Sequence, residues 1–383
     1  MIRRFITSST LCILVFILSG CTVNPVTGKT ELAMTSTEQE LSIGRAQYQS
    51  AQQSQGGRYT VDPALNQYIQ KVGSQLAAVS DRPQLPFEFV VVNNSSANAW
   101  ALPGGKIAIN RGLLLELDDE SQLAAVLSHE IVHTAARHGA QQMDRKILTG
   151  IGVAAIAATT KDHQHSAAII GGAALGATLI NSRYSRQAEL ESDHYGMQYM
   201  AKLGYELDGA VELQETFVEL SKGGNNSMTY ALFASHPPSR ERVQANIKTA
   251  SILNSGNIRN RAIYQRHIAQ LKKDVQAYND CDEGFKLLAK NPQQSLLLAN
   301  KAIRSQPKEA LFYQLKSQAL SALNNNTAAL DAINQAIQRN PGYYSFYITR
   351  GQLYQAMGNT QAARQDFDNS NRLLPNAIAI KKQ

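Results

Sequence analysis

Cysteine is scarce in this sequence: three in 383 residues, at positions 12, 21 and 281. Cys12 falls in an N-terminal segment expected to be removed, so the mature chain has no internal disulfide and must rely on packed cores. Cys281 then reads as a small buried or half-buried residue. Long apolar runs are also missing. Leu11 to Leu18 is too short to span a bilayer, and so are the Ala/Gly/Ile-rich stretches Thr149–Thr160 and Ser166–Ile180, because crossing needs about 20 residues. No block of one charge occurs either. The net +7 includes Arg3 and Arg4, leaving +5 spread along the remainder, which excludes a phosphate-tracking surface and nucleic acid as a partner. Hydrophobic residues at 43% and charged residues at 17% describe an ordinary globular chain, long enough for two folded units plus tails.

The N-terminus carries a layout of its own. Arg3 and Arg4 precede the apolar run, and Ser19 and Gly20 precede Cys21, the charge–apolar–small order of a secretory signal over residues 1–20. The Leu18-Ser19-Gly20-Cys21 junction resembles the bacterial lipoprotein cleavage box. That resemblance implies lipidation of Cys21, and Thr22 in place of Asp implies delivery to the outer membrane. Acyl chains, at about 0.8 kcal/mol per buried methylene, would tether a periplasm-facing protein.

Residues 21–55 read as a tether and a docked arm, followed by a helix opened by a Thr37-x-x-Glu40 capping box and running to about Gln53. A second helix is predicted over Ala64–Ala78, where Leu65, Ile69, Val72 and Leu76 recur three and four apart. Residues 87–92 and Lys106–Asn110 read as short strands, the second introduced by a Pro103-Gly104-Gly105 turn. Residues 148–180 fit a buried helical hairpin, or a flap over the site. From about residue 257, Pro307, Pro341 and Pro375 recur every 34 positions. Tyr347, Gly351, Tyr354, Ala363 and Phe367 fall where a tetratricopeptide repeat places such residues, and Tyr313, Leu320, Ala329, Ile333 and Ala336 echo them. A degenerate unit is expected before Pro307. The expected architecture is α+β, mainly helical: a 56–256 domain with a small sheet, then an all-α solenoid over 257–383.

The chemistry concentrates in HEIVH, His129 to His133, within a helix predicted to start at Asp118 or Asp119. Residues four apart share a helix face, so His129 and His133 can aim at one metal ion. Glu130 is rotated by about 100° from His129, beside water rather than in the ligand ring, where it can act as a general base. Random placement in a chain of this composition would yield the pattern well under about once per hundred chains. A catalytic zinc needs a third protein ligand and one open position. His138, His163, His165, His194 and His267 each read as surface, turn or supporting groups.

Downstream, SRQAELESDHYG from Ser185 to Gly196 has the form S-R-x-x-E-x-x-x-D. With HEIVH it resembles the gluzincin zinc metallopeptidases, the family of HtpX, the CAAX prenyl proteases and BepA. The resemblance implies a zincin-like fold, one Zn2+ per chain, and Glu189 as third ligand. Asp193, one turn on, is placed to hydrogen-bond a ligating histidine; Glu191 is the competing ligand. The segment Asn98–Leu114, including Ala99 and Trp100, resembles the family's cleft-lining edge strand. SHPPSRERV resembles a further motif, implying His236 near the metal, as a latch on the open position, and Arg242 near the oxyanion or a metal-bound carboxylate. By that resemblance the chain is an envelope endopeptidase acting on misfolded or stalled outer-membrane proteins, with repeats that recruit substrates or an assembly machine. A chaperone working through its repeats, with proteolysis latent, is the alternative.

Overall fold

The computed structural model describes residues 21–148, 183–222 and 232–377. The expected signal segment and nearly all of the 148–180 hairpin lie outside the described residues. Among the described residues, no helix is long and apolar enough to cross a membrane.

The arm is more ordered than a tether. β1 (Cys21–Val23) and β2 (Thr30–Leu32) form an antiparallel hairpin, turned by Asn24, whose side-chain carbonyl accepts from the Val26 and Thr27 amides. α1 (Thr37–Ser54) begins one residue earlier than the capping-box reading allowed. Its cap is Ser36, whose hydroxyl accepts from the Gln39 amide while the Gln39 side chain accepts from the Ser36 amide. Glu40 is thereby freed from capping. It lies buried against the guanidinium groups of Arg82 and Arg137.

α2 (Pro63–Ala78) is capped by Asp62 and buries the predicted stripe. β3 (Glu88–Val92), β4 (Ala99–Leu102) and β5 (Lys106–Asn110) form one sheet in the order β3-β5-β4, with β3 and β5 parallel and β4 antiparallel to β5. Side chains alternate between its faces. Phe89, Val91, Ala99, Ala101, Ile107 and Ile109 join the main core, whereas Val90, Val92, Trp100, Leu102 and Ala108 pack with Tyr48 and Ala51 of α1. With helices on both faces, the strands are apolar apart from Glu88, Lys106 and Asn110 at their ends. The short α3 (Arg111–Leu115) leads into α4 (Glu120–Ala135), capped by Asp119 and buried along its whole length. α5 (Arg186–Lys202) and α6 (Asp208–Ser221) pack on it, and α7 (Arg240–Ile252) packs against those two.

α8 (Arg261–His267) and α9 (Ala269–Leu287) continue from this unit without a seam. Tyr264, Leu271, Tyr278, Phe312 and Leu315 share one core with the α2–α4 layer, and the Tyr264 hydroxyl donates to the Leu114 carbonyl. The expected 256/257 boundary is thus no break in packing. α9 pairs with α10 (Pro292–Ser305), α11 (Ala310–Ala322) with α12 (Asn326–Arg339), and α13 (Tyr344–Ala356) with α14 (Thr360–Leu373). The last two pairs start 34 residues apart, and α9–α10 stands where the degenerate unit was expected. At Gly351 a Cβ would lie 2.7 Å from the Phe367 ring, so the glycine permits the α13–α14 approach. The far end of the array returns to α1, where Gln53 donates to the Gly342 carbonyl and accepts from the Tyr344 amide.

Candidate metal centre

Two crossing helices build the site. On α4, His129 and His133 stand one turn apart with Nε2 atoms 3.0 Å from each other. α5 comes close enough to share their site because position 196 is glycine. A Cβ there would lie 3.0 Å from Ser128 Oγ and 3.2 Å from the His129 amide nitrogen. Ser185 caps α5 by accepting from the Ala188 amide, so Glu189 enters in the first turn. Its Oε1 is 3.4 Å from His133 Nε2 and its Oε2 is 3.6 Å from His129 Nε2.

His236 arrives from the segment between α6 and α7, where its amide donates to the Leu232 carbonyl at 2.7 Å. Its Nδ1 lies 3.3 Å from His129 Nε2 and 3.1 Å from Glu189 Oε1. One donor atom from each of His129, His133, Glu189 and His236 falls within 4.8 Å of the others. Three imidazole nitrogens and a carboxylate oxygen converging on one point is a donor set for a borderline cation such as zinc. The residues fit a metal.

A supporting layer fixes these donors. His129 Nδ1 is 2.9 Å from Asp193 Oδ1, which orients the ring with Nε2 toward the cluster. Arg242 donates from Nε and Nη2 to the two Asp193 oxygens, each at 2.7 Å, and its Nη1 lies 2.7 Å from Glu189 Oε2. Of the two places expected for Arg242, the structure shows it against the carboxylates. Burial alone would raise both acids. His236, Arg242 and His129 instead hold Glu189 well below the usual carboxylate range, and Arg242 with His129 lowers Asp193. Burial depresses His133 far below an ordinary histidine, whereas Glu189 and Glu130 overcome burial and raise His236.

Glu130 is 2% exposed, its Oε1 is 3.6 Å from His236 Nε2, and its buried Oε2 has no hydrogen-bond partner. Desolvation raises its pKa, with His236 and His129 opposing. Such a carboxylate is poised to take up a proton. Next to it lies a cavity of about 40 Å³, lined by Ala99, Leu113, Val126, Met197, Leu213 and Phe217 among others. That volume holds a few waters rather than a peptide.

Of the expected cleft residues, Ala99 faces this cavity, but Trp100 and Asn98 do not line it. Trp100 points to the opposite sheet face and meets Tyr48 edge-on at 6.2 Å, because successive strand residues alternate. Asn98 is buried before β4, where its carbonyl accepts from the Asn110 amide. Cys21 begins β1, far along the chain from the donors. Glu191 is outside the cluster, bonded to Lys29. His194 contacts Thr249 and Gln198, and His267 stacks on Tyr68. His163 and His165 lie outside the described residues. Sequence reasoning missed Tyr184, which stacks on His133 with centroids 3.7 Å apart; no spacing rule ties it to HEIVH. It also left His138 without a partner, although that ring is buried 2.9 Å from His133.

Comparison with known proteins gives a consistent result. Residues 63–250 match Peptidase family M48, and residues 310–343 match a tetratricopeptide repeat. The putative beta-barrel assembly-enhancing protease of Vibrio cholerae is 35% identical over 150 residues, which are 38% of this chain and 31% of that protein. The beta-barrel assembly-enhancing protease of Escherichia coli K12 is 30% identical over 220 residues, 53% of this chain and 42% of that one. The metalloprotease YcaL of the same organism is 34% identical over 160 residues, covering 42% and 60%. The chain therefore spans between about a third and three fifths of these relatives' lengths.

Proposed function

We propose, from the match of residues 63–250 to peptidase family M48 and of residues 310–343 to a tetratricopeptide repeat, that the chain is a zinc-dependent endopeptidase of the bacterial envelope. The observation that carries the reading is the convergence of His129, His133 and Glu189 beside a buried, unpartnered Glu130 oxygen. A pure scaffold has no use for a desolvated carboxylate at that place. Zinc held by His129, His133 and Glu189 would polarise a peptide carbonyl and make water a nucleophile near neutral pH.

The chain's own residues do the rest. Asp193 holds His129 with Nε2 free, and Arg242 keeps Asp193 and Glu189 ionised and aligned. Glu130 receives the proton from the attacking water at its free oxygen and returns it to the leaving amine. β4 offers an edge-strand backbone for an extended substrate, with Ala99 leaving room at the cavity. The names of the relatives point to outer-membrane barrel proteins as clients, and the repeats to recruitment of those clients or of an assembly machine. Cys21 as a lipid site would hold the enzyme on the periplasmic face of the outer membrane.

His236, within 3.3 Å of His129 and 3.1 Å of Glu189, would take the position that a catalytic metal leaves to water or substrate. Together with the small cavity, that favours a resting, latent arrangement in which chaperone-like work by the repeats precedes cleavage. The test uses purified full-length protein and an unfolded outer-membrane barrel. Cleavage that stops on chelation and returns with one equivalent of zinc supports the reading. Cleavage indifferent to the chelator overturns it.

A further inference from the structure

The turn that ends α4 does something a continuous helix would not. Five residues on, an uninterrupted helix would place His138 about 140° around the axis from His133. Arg137 instead adopts φ +63°, a left-handed C-terminal conformation that interrupts the helix. His138 is thereby brought back to lie 3% exposed, with Nδ1 at 2.9 Å from His133 Nδ1. His133 Nε2 faces the donor cluster and needs its lone pair there, so Nδ1 carries the hydrogen and donates to His138 Nδ1. His138 must then carry its own hydrogen on Nε2, which lies 3.4 Å from Glu191 Oε2, close enough for electrostatic attraction although no hydrogen bond forms. The other Glu191 oxygen is met at 2.9 Å by Lys29 Nζ from the β1–β2 hairpin.

The same hairpin grips the turn from outside. Asn24 donates to the Ala136 carbonyl at 2.9 Å, and Gln141 donates to that carbonyl and to Glu31. Arg137 donates to the Thr35 carbonyl and to Glu40. Asp144, in the helical stretch after the turn, accepts from the Met34 amide and the Thr35 hydroxyl. Every polar anchor of residues 24–35 named here lands on the segment 136–144 or on Glu191.

We propose that His138 is a positioning residue for the metal ligand His133, and that Glu191 and Lys29 extend the support, so that docking of the N-terminal arm is part of building the metal site. This rests on the metal-site reading above. His138 fixes the ring orientation and tautomer of His133, the Glu191 carboxylate beside Nε2 favours a proton there electrostatically, and the arm holds the left-handed turn that makes both contacts possible. An arm that lets go would free the turn and weaken the metal's hold before any ligand is lost.

The test is zinc affinity by chelator competition on the full-length protein, with His138→Ala, His138→Asn and Lys29→Ala. Supporting groups of this kind are worth about 10–100-fold in metal affinity. His138→Ala is expected to lose that much. His138→Asn, whose side-chain oxygen takes the place of Nδ1 as acceptor, should recover most of it. Lys29→Ala, at an exposed position, should cost a few-fold without lowering the melting temperature of the zinc-free protein. Wild-type affinity in His138→Ala, or equal losses in the Ala and Asn variants, would overturn the proposal. A wild-type chain that binds no zinc would instead sink the underlying metal-site reading.

Discussion

Replacing Arg242 by Met keeps most of the side-chain volume and removes the charge. Arg242 is 4% exposed and Asp193 and Glu189 are 7% and 2% exposed. Three guanidinium nitrogens lie 2.7 Å from carboxylate oxygens of these two acids, so the change strands two buried carboxylates at once. Removing one partner of a buried ion pair costs about 3–5 kcal/mol, and here the cost should lie toward the upper end of that range. The assay is urea unfolding of the full chain with chelator present, so that metal binding does not enter the balance. A double variant, Asp193→Asn with Arg242→Met, removes one of the stranded charges and should recover at least about 1 kcal/mol. An Arg242→Met protein within about 0.5 kcal/mol of wild type would refute the reasoning. So would a double variant no more stable than the single one.

Other outcomes follow from the same geometry. Glu130→Gln should stabilise the zinc-free protein at neutral pH, because the native state raises the Glu130 pKa and so penalises its ionised form. The advantage should shrink as pH falls through that raised value and vanish below 4.5, where the wild-type group is protonated in both states; a gain that grows with acid would contradict this. His236→Ala should increase resting cleavage if the histidine obstructs the open position, and a titration of peptide hydrolysis decides it. Gly196→Leu should cost at least about 1–3 kcal/mol by overpacking and lower zinc affinity, since a side chain there meets the His129 turn. Deleting residues 257–383 strips Tyr264, Tyr278 and Phe312 from the shared core and should yield no stable protease; a soluble, cooperatively folding truncation would argue for independent units.

What the sequence disclosed follows from the range of the interactions involved. The HEIVH pair, the cap at Asp119 and the stripe of α2 are set within a few residues, and periodicity reads them directly. The 34-residue spacing shows the repeat pairs for the same reason. Glu189 and His236 are 60 and 107 positions from His129, and motif resemblance, not spacing, drew them in. Trp100 was expected at the cleft and lies behind the sheet, because a motif marks a segment while strand alternation decides the face. Ser36 displaced Thr37 as the cap because Glu40 is taken by two arginines from distant segments, a tertiary demand that no local pattern carries. The His138 contact depended on one left-handed residue, Arg137, which is not glycine and so gave no sign of a turn.

The central claim is that Glu130 is the base of a metal-dependent hydrolysis whose ligands are His129, His133 and Glu189. The direct measurement compares wild type with Glu130→Gln in zinc content and in cleavage of an unfolded outer-membrane barrel. Both proteins should hold one zinc per chain, with cleavage by the variant reduced at least about 10²-fold. Equal cleavage by the two proteins at equal zinc content would contradict the claim.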